Sequence, residues 1–63
     1  MKRKEIDLVD GLLNKSELAQ VRLSVVAQRL GTPLGVGLIK ALEKAGYQVY
    51  TQGNATYVSP PIL

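Results

Sequence analysis

The sequence predicts an α+β domain in which helices lead and a β-hairpin follows. Three observations carry this. Two helix-patterned apolar segments, SVVAQRL and LIKALEKAG, meet at Gly31-Thr32-Pro33. A stop signal and a start signal stand back to back there, because glycine suits the left-handed residue after a helix and proline the first residue of the next. Directly after the second segment, YQVYTQ and ATYVS flank Gly53-Asn54, the pattern of two strands joined by a tight turn.

In chain order, Ile6, Val9, Leu12 and Leu13 place one apolar stripe on a first helix over residues 3–13, with Lys4, Asp7 and Asp10 opposite. Acids in its early turns and Lys15 beyond its end complement the helix dipole. Gly11 costs roughly 1 kcal/mol relative to alanine inside a helix, so either a close neighbour or an early helix end is expected there. For Ser16–Gln20 the pattern leaves both continuation and termination open.

Val21-Arg22-Leu23 alternates like a very short strand. Ser24 is a good N-cap for a second helix. Val25, Val26 and Leu30 form its expected core face, and Gln28 and Arg29 face out. Gly31 ends it. Thr32 as cap and Pro33 as first residue start a third helix over about 33–45, with Gly35, Leu38, Ile39 and Leu42 inward and Gly46 closing it. With Gly53-Asn54 as the centre of a type II′ turn, Val49 opposes Val58 and Thr51 opposes Thr56 on one face. Tyr50 opposes Tyr57 on the other. The Val face is expected against the helices, with the tyrosines side by side outside. Ser59-Pro60-Pro61-Ile62-Leu63 does not favour a continued paired strand.

Sixty-three residues make one domain, 1–63, near the lower size limit for a chain without staples. Cysteine and histidine are both absent, so disulfides and the usual zinc frameworks are not available, and no metal or cofactor is expected. No apolar run approaches the ~20 residues of a membrane span. Acids interrupt MKRKEIDLVDG before any apolar stretch, so no secretory leader is expected and the location is read as cytoplasmic. For catalysis, Ser16, Ser24 and Ser59 have no base to activate them, and no Gly-rich run ends in Lys-Ser or Lys-Thr. The chain is expected not to be an enzyme. Its net charge of +3 arises outside residues 1–10, whose charges cancel. A basic surface around the two central helices suits a phosphate-bearing partner.

From Val21 to Ser59 the order of short strand, helix, turn, helix and hairpin resembles the winged helix-turn-helix superfamily. LGTP followed by LIKALEKAGY is similar to its small bacterial and phage regulators. The resemblance implies a helix-turn-helix over about 24–45, a wing over about 47–59 and a tail at 60–63. It also implies transcription regulation through double-stranded DNA, with the third helix in the major groove and the wing on the neighbouring backbone. Carried onto this sequence, the nucleic-acid-binding candidates are Arg29, Thr32, Lys40, Lys44, Gln52 and Asn54. The start of the third helix departs from the family pattern: Leu34, Gly35, Val36 and Gly37 have no side-chain hydrogen-bonding group to read bases. The wing holds no lysine or arginine. The alternative reading is a protein-interaction module, with Val36, Tyr50 and Tyr57 as its candidate contacts. In either case a homodimer or a protein partner is expected, since one small module makes few contacts.

Overall fold

A computed structural model describes residues 1–61. Three helices, α1 (Arg3–Lys15), α2 (Leu23–Leu30) and α3 (Val36–Lys44), pack with three strands, β1 (Val21–Arg22), β2 (Gln48–Gln52) and β3 (Ala55–Ser59). The strands form one antiparallel sheet in the order β1-β3-β2. No helix among the described residues is long and apolar enough to cross a membrane.

The hairpin has the expected register. Val49 faces Val58, Tyr50 faces Tyr57, and Gln52 faces Ala55 across the turn. Gly53 has φ +64, and Ala19 is the only non-glycine with positive φ among the described residues. Asn54 is therefore at negative φ, as a type II′ turn requires. β1 adds Val21 beside Val58 and Arg22 beside Tyr57. The inner face of the sheet thus carries the row Val21–Val58–Val49, with Val58 fully buried. The outer face carries Arg22–Tyr57–Tyr50. β3 stops at Ser59, before the prolines; the expectation for Ile62 and Leu63 lies outside the described residues.

α1 runs two residues further than expected, to Lys15, and includes Gly11. Its start is fixed by the backbone N–H of Lys2 donating to the Glu5 carboxylate at 2.9 Å, half of a capping box. The Ser16–Gln20 segment is a turn and not helix. The Ser16 hydroxyl donates to the carbonyl of Gln20 at 2.7 Å, and Ala19 takes φ +54.

The largest departure lies between α2 and α3. Gly31 sits at φ +69 and donates its N–H to the carbonyl of Gln28, while Thr32 donates its N–H to the carbonyl of Ala27. This is a Schellman closure, and it spends the backbone of Thr32 on ending α2. The Thr32 hydroxyl is not used by that closure, but α3 does not begin beside it, so Thr32 does not cap α3. α3 starts at Val36, three residues later than Pro33, with an extended Gly35 in the cap position and no side-chain cap. Glycine has low helix propensity, so residues 33–35 remain outside the helix. The far end of α3 closes the same way, with Gly46 bonded to Glu43 and Tyr47 to Leu42. Both glycines do what the sequence indicates; the start signal after the first one does not.

Other boundaries also move. Leu23 opens α2 and is buried, where a strand end was expected, and Arg22 takes the N-cap position in place of Ser24. The buried face of α2 is Leu23, Val26 and Ala27, and Leu30 packs at its margin. Val25, expected in the core, is exposed. Helical geometry gives the reason: residues at i, i+3 and i+4 from Leu23 share one face, and Val25 falls off it. The core comprises Val9 and Leu13 of α1, the α2 face, Leu38 and Leu42 of α3, Tyr47 and Val58. Leu12 and Ile39 lie at its margin, Ile6 is only half-buried outside it, and Gly35, expected inward, is exposed.

Tyr47, like Ala27, is a core residue that no local pattern in the sequence marks. It follows Gly46 and is buried, and its hydroxyl donates to the Asp10 carboxylate, with the carbonyl of Ile6 3.3 Å away. Burial, then the Asp10 partner, push its ionisation well above the ordinary tyrosine range. One side chain thus ties the start of the hairpin to α1, 37 residues away in sequence from Asp10.

Candidate nucleic-acid interface

α3 turns Leu38 and Leu42 into the core, so the opposite side of the helix must present Val36, Lys40, Glu43 and Lys44. All four are exposed. Lys40 and Lys44 are one turn apart on that side. Among the described residues the only ion pair joins Arg3 and Asp7, at 3.8 Å within α1. The ammonium groups of Lys40 and Lys44 and the guanidinium of Arg29 are therefore free of acidic partners among the described residues. Arg29 is exposed in the last turn of α2, where it also complements the helix dipole.

The N-terminal approach to α3 is different in character. Leu34 and Val36 are 59% and 65% exposed. They line a cleft of about 410 Å³ between the start of α3, the β1–α2 junction and the hairpin. Ile39, Asn54, Thr56, Arg22 and Ser24 also line it, Arg22 lying next to Tyr57 of β3 in the sheet. Arg22 is the only charged residue that lines it among the described residues. A separate hollow of about 350 Å³ lies on the other side of residues 33–37, and Thr32 belongs to that one with Leu30 and Ala41.

The expected site residues are thus not gathered in one patch. Val36 and Asn54 both line the cleft, Lys40 and Lys44 share the exposed side of α3, and Thr32 is half-buried in the second hollow. Gln52 and Asn54 are exposed at the hairpin tip. Tyr50 and Tyr57 lie side by side as expected, with ring centroids 5.9 Å apart and planes tilted by 31°. They are half-buried rather than open, and the Tyr50 hydroxyl donates to the side-chain oxygen of Gln20. The Tyr50 hydroxyl is engaged within the fold and the two rings face each other, which reduces what the pair offers a partner.

Arg22 and Ser24 were not among the expected site residues. The signal for Arg22 was present, because a charged residue between Val21 and Leu23 in a strand must face away from the core. Its position at the cleft depends on β1 pairing with β3, which the residues 21–23 alone do not reveal.

Comparison with family models, with curated proteins and with solved structures finds no match to this chain.

Proposed function

We propose that the protein is a small winged-helix DNA-binding module, a regulator or accessory factor with no catalytic step, that holds double-stranded DNA chiefly through its phosphates. The observation that carries this reading is the exposed side of α3, where Lys40 and Lys44 stand one turn apart without acidic partners among the described residues. Helix, turn, helix and hairpin follow one another in the winged-helix order, and β1 completes a three-stranded sheet. In that arrangement α3 enters the major groove, and the hairpin tip with Gln52 and Asn54 approaches the flanking backbone. Arg29 and Thr32 flank the turn. Leu34, Gly35, Val36 and Gly37 offer bases only apolar contact, such as with a thymine methyl, so sequence discrimination is weak. Fluorescence anisotropy with several unrelated duplexes at low salt tests this. Binding of similar strength to all of them is expected; no binding to any overturns it.

One observation favours a second reading, a protein-interaction module. The cleft is mostly apolar, and Leu34 and Val36 present apolar side chains at its edge. Apolar clefts with one flanking cation suit a peptide with a large apolar residue next to an acid. Leu34→Asp discriminates the two readings. It leaves phosphate-dominated DNA binding weakened by only a few-fold, whereas it abolishes peptide capture in the cleft.

A further inference from the structure

The two edges of the sheet are unlike. β1 is two residues long, too short to template another strand, and α2 begins at once after it. β2 presents five residues, Gln48–Gln52, at the opposite edge. Natural edge strands are commonly blunted by lysine, proline or a bulge. The stretch QVYTQ contains no charge and no proline, and its register with β3 runs unbroken through five pairs.

Which backbone groups face that open edge follows from the turn. In a hairpin with a two-residue loop, the flanking pair Gln52–Ala55 is a hydrogen-bonded pair, and bonded and non-bonded pairs then alternate. Gln48, Tyr50 and Gln52 therefore spend their N–H and C=O groups on β3. Those of Val49 and Thr51 point to the open edge, and neither residue has another backbone partner among the described residues.

The strand is also nearly palindromic. Gln48-Val49-Tyr50-Thr51-Gln52 reads the same in both directions apart from Val49 and Thr51, which have the same branched shape. We propose that the outer edge of β2 is an interface with a second copy of this chain, the two β2 strands pairing antiparallel about a two-fold axis at Tyr50. Gln48 then faces Gln52 of the other copy, Val49 faces Thr51, and the two Tyr50 residues face each other. Val49 and Thr51 are the residues whose backbone groups are free, so each Val49–Thr51 pair exchanges two hydrogen bonds. A register shifted by one residue points these groups away from each other. A two-fold axis at Val49 or Thr51 keeps the parity but extends the ladder into buried Tyr47 or into the turn at Gly53. Only Tyr50 at the centre uses the whole strand.

Such pairing joins two three-stranded sheets into a continuous one and extends the outer row to Arg22–Tyr57–Tyr50 on each side of the axis. Tyr50 occupies a non-hydrogen-bonded position in the new ladder, where facing side chains approach most closely. On the inner face Val49 packs at the margin of the core while Thr51 is exposed, so the helices leave the Thr51 end of the edge uncovered. Five residues of strand edge bury less than the roughly 800 Å² per partner of a standard interface. The dimer is accordingly weak in solution and strengthens when two copies occupy adjacent sites on one duplex.

The test uses the full chain. Sedimentation equilibrium from micromolar to millimolar concentration is expected to show a monomer passing into a dimer, without DNA. The chain has no cysteine, so Tyr50→Cys supplies a single thiol at the axis, and mild oxidation is expected to cross-link it to a covalent dimer. Gln52→Cys is expected not to cross-link, because the two Gln52 positions lie roughly 14 Å apart along the ladder, beyond the reach of a disulfide. Thr51→Pro removes an outward-facing N–H without breaking the ladder to β3. It is expected to weaken dimerisation by about tenfold or more while circular dichroism stays native. Should Thr51→Pro fail to fold, the contrast between the two cysteine variants still decides. A chain that stays monomeric at millimolar concentration overturns the proposal. So does a dimer that cross-links equally through Tyr50→Cys and Gln52→Cys, or one that cross-links through Val36→Cys instead.

Discussion

The two sides of α3 obey different rules. Its inner side, Leu38 and Leu42, is buried among side chains from α1, α2 and the hairpin, and each atom there has neighbours to lose. Its outer side, Val36, Lys40 and Lys44, touches little. A nine-residue helix with Gly35 as its cap has small intrinsic stability, so the inner side holds the helix in place and leaves the outer side free to vary. The difference teaches where fold and function separate in so small a domain: mutations inward should change stability, and mutations outward should change binding alone.

The largest expected effect breaks the inner side. Leu42 is fully buried, and Leu42→Ala should cost about 2–5 kcal/mol. A domain of this size has few kcal/mol in total, so the variant should be mostly unfolded at 37 °C by circular dichroism. Ile39 lies at the core margin and the cleft wall, and Ile39→Ala should cost less than Leu42→Ala in the same urea titration. Equal losses would show that the inner side of α3 is wider than described.

Next comes the anchor just beyond α3. Tyr47→Phe keeps the packed ring and removes the hydroxyl that donates to Asp10. A loss of about 1–2 kcal/mol is expected, since Asp10 is exposed and can rehydrate. The same residue predicts a response to alkali. Its folded-state ionisation is raised, so the unfolded chain releases the proton first as pH rises past about 10. Stability from this group is complete below that pH and falls above it. Thermal melts of wild type and Tyr47→Phe should therefore converge as the pH is raised beyond 10. Parallel curves would mean that Tyr47 ionises alike in both states.

The smallest effects on stability belong to the outer side. Lys40→Ala and Val36→Ser should each change unfolding free energy by about 0.5 kcal/mol or less. A larger loss at Lys40 would show that this side is part of the packed structure.

The hairpin was legible in the sequence because one local signal fixes it. Gly53-Asn54 sets the turn, and the two-residue periodicity then assigns each side chain a face. The start of α3 was not legible, because a local start signal is overridden by the glycine that follows it. Thr32 and Pro33 form a good helix start in isolation, but Gly35 takes an extended conformation between them and the first helical residue, Val36, and glycine disfavours helix. Tyr47 escaped notice for a different reason. Its hydroxyl reaches back to Ile6 and Asp10, and no local pattern marks contacts of that range. The candidate site divides the same way. That Lys40 and Lys44 share one side of a helix follows from their spacing. That Val36, Asn54 and Arg22 line one cleft depends on how the sheet packs against α3.

The central claim is that the outer side of α3 meets phosphates. It is tested most directly by measuring duplex DNA affinity as a function of salt for wild type and Lys40→Ala. If Arg29, Lys40 and Lys44 each neutralise one phosphate, log K for wild type should fall by about 2.7 per decade of salt, at roughly 0.9 per contact. Lys40→Ala should lower that slope by about one and weaken binding to every duplex alike. Wild-type binding with the same slope as Lys40→Ala, or no binding at low salt, would contradict the account.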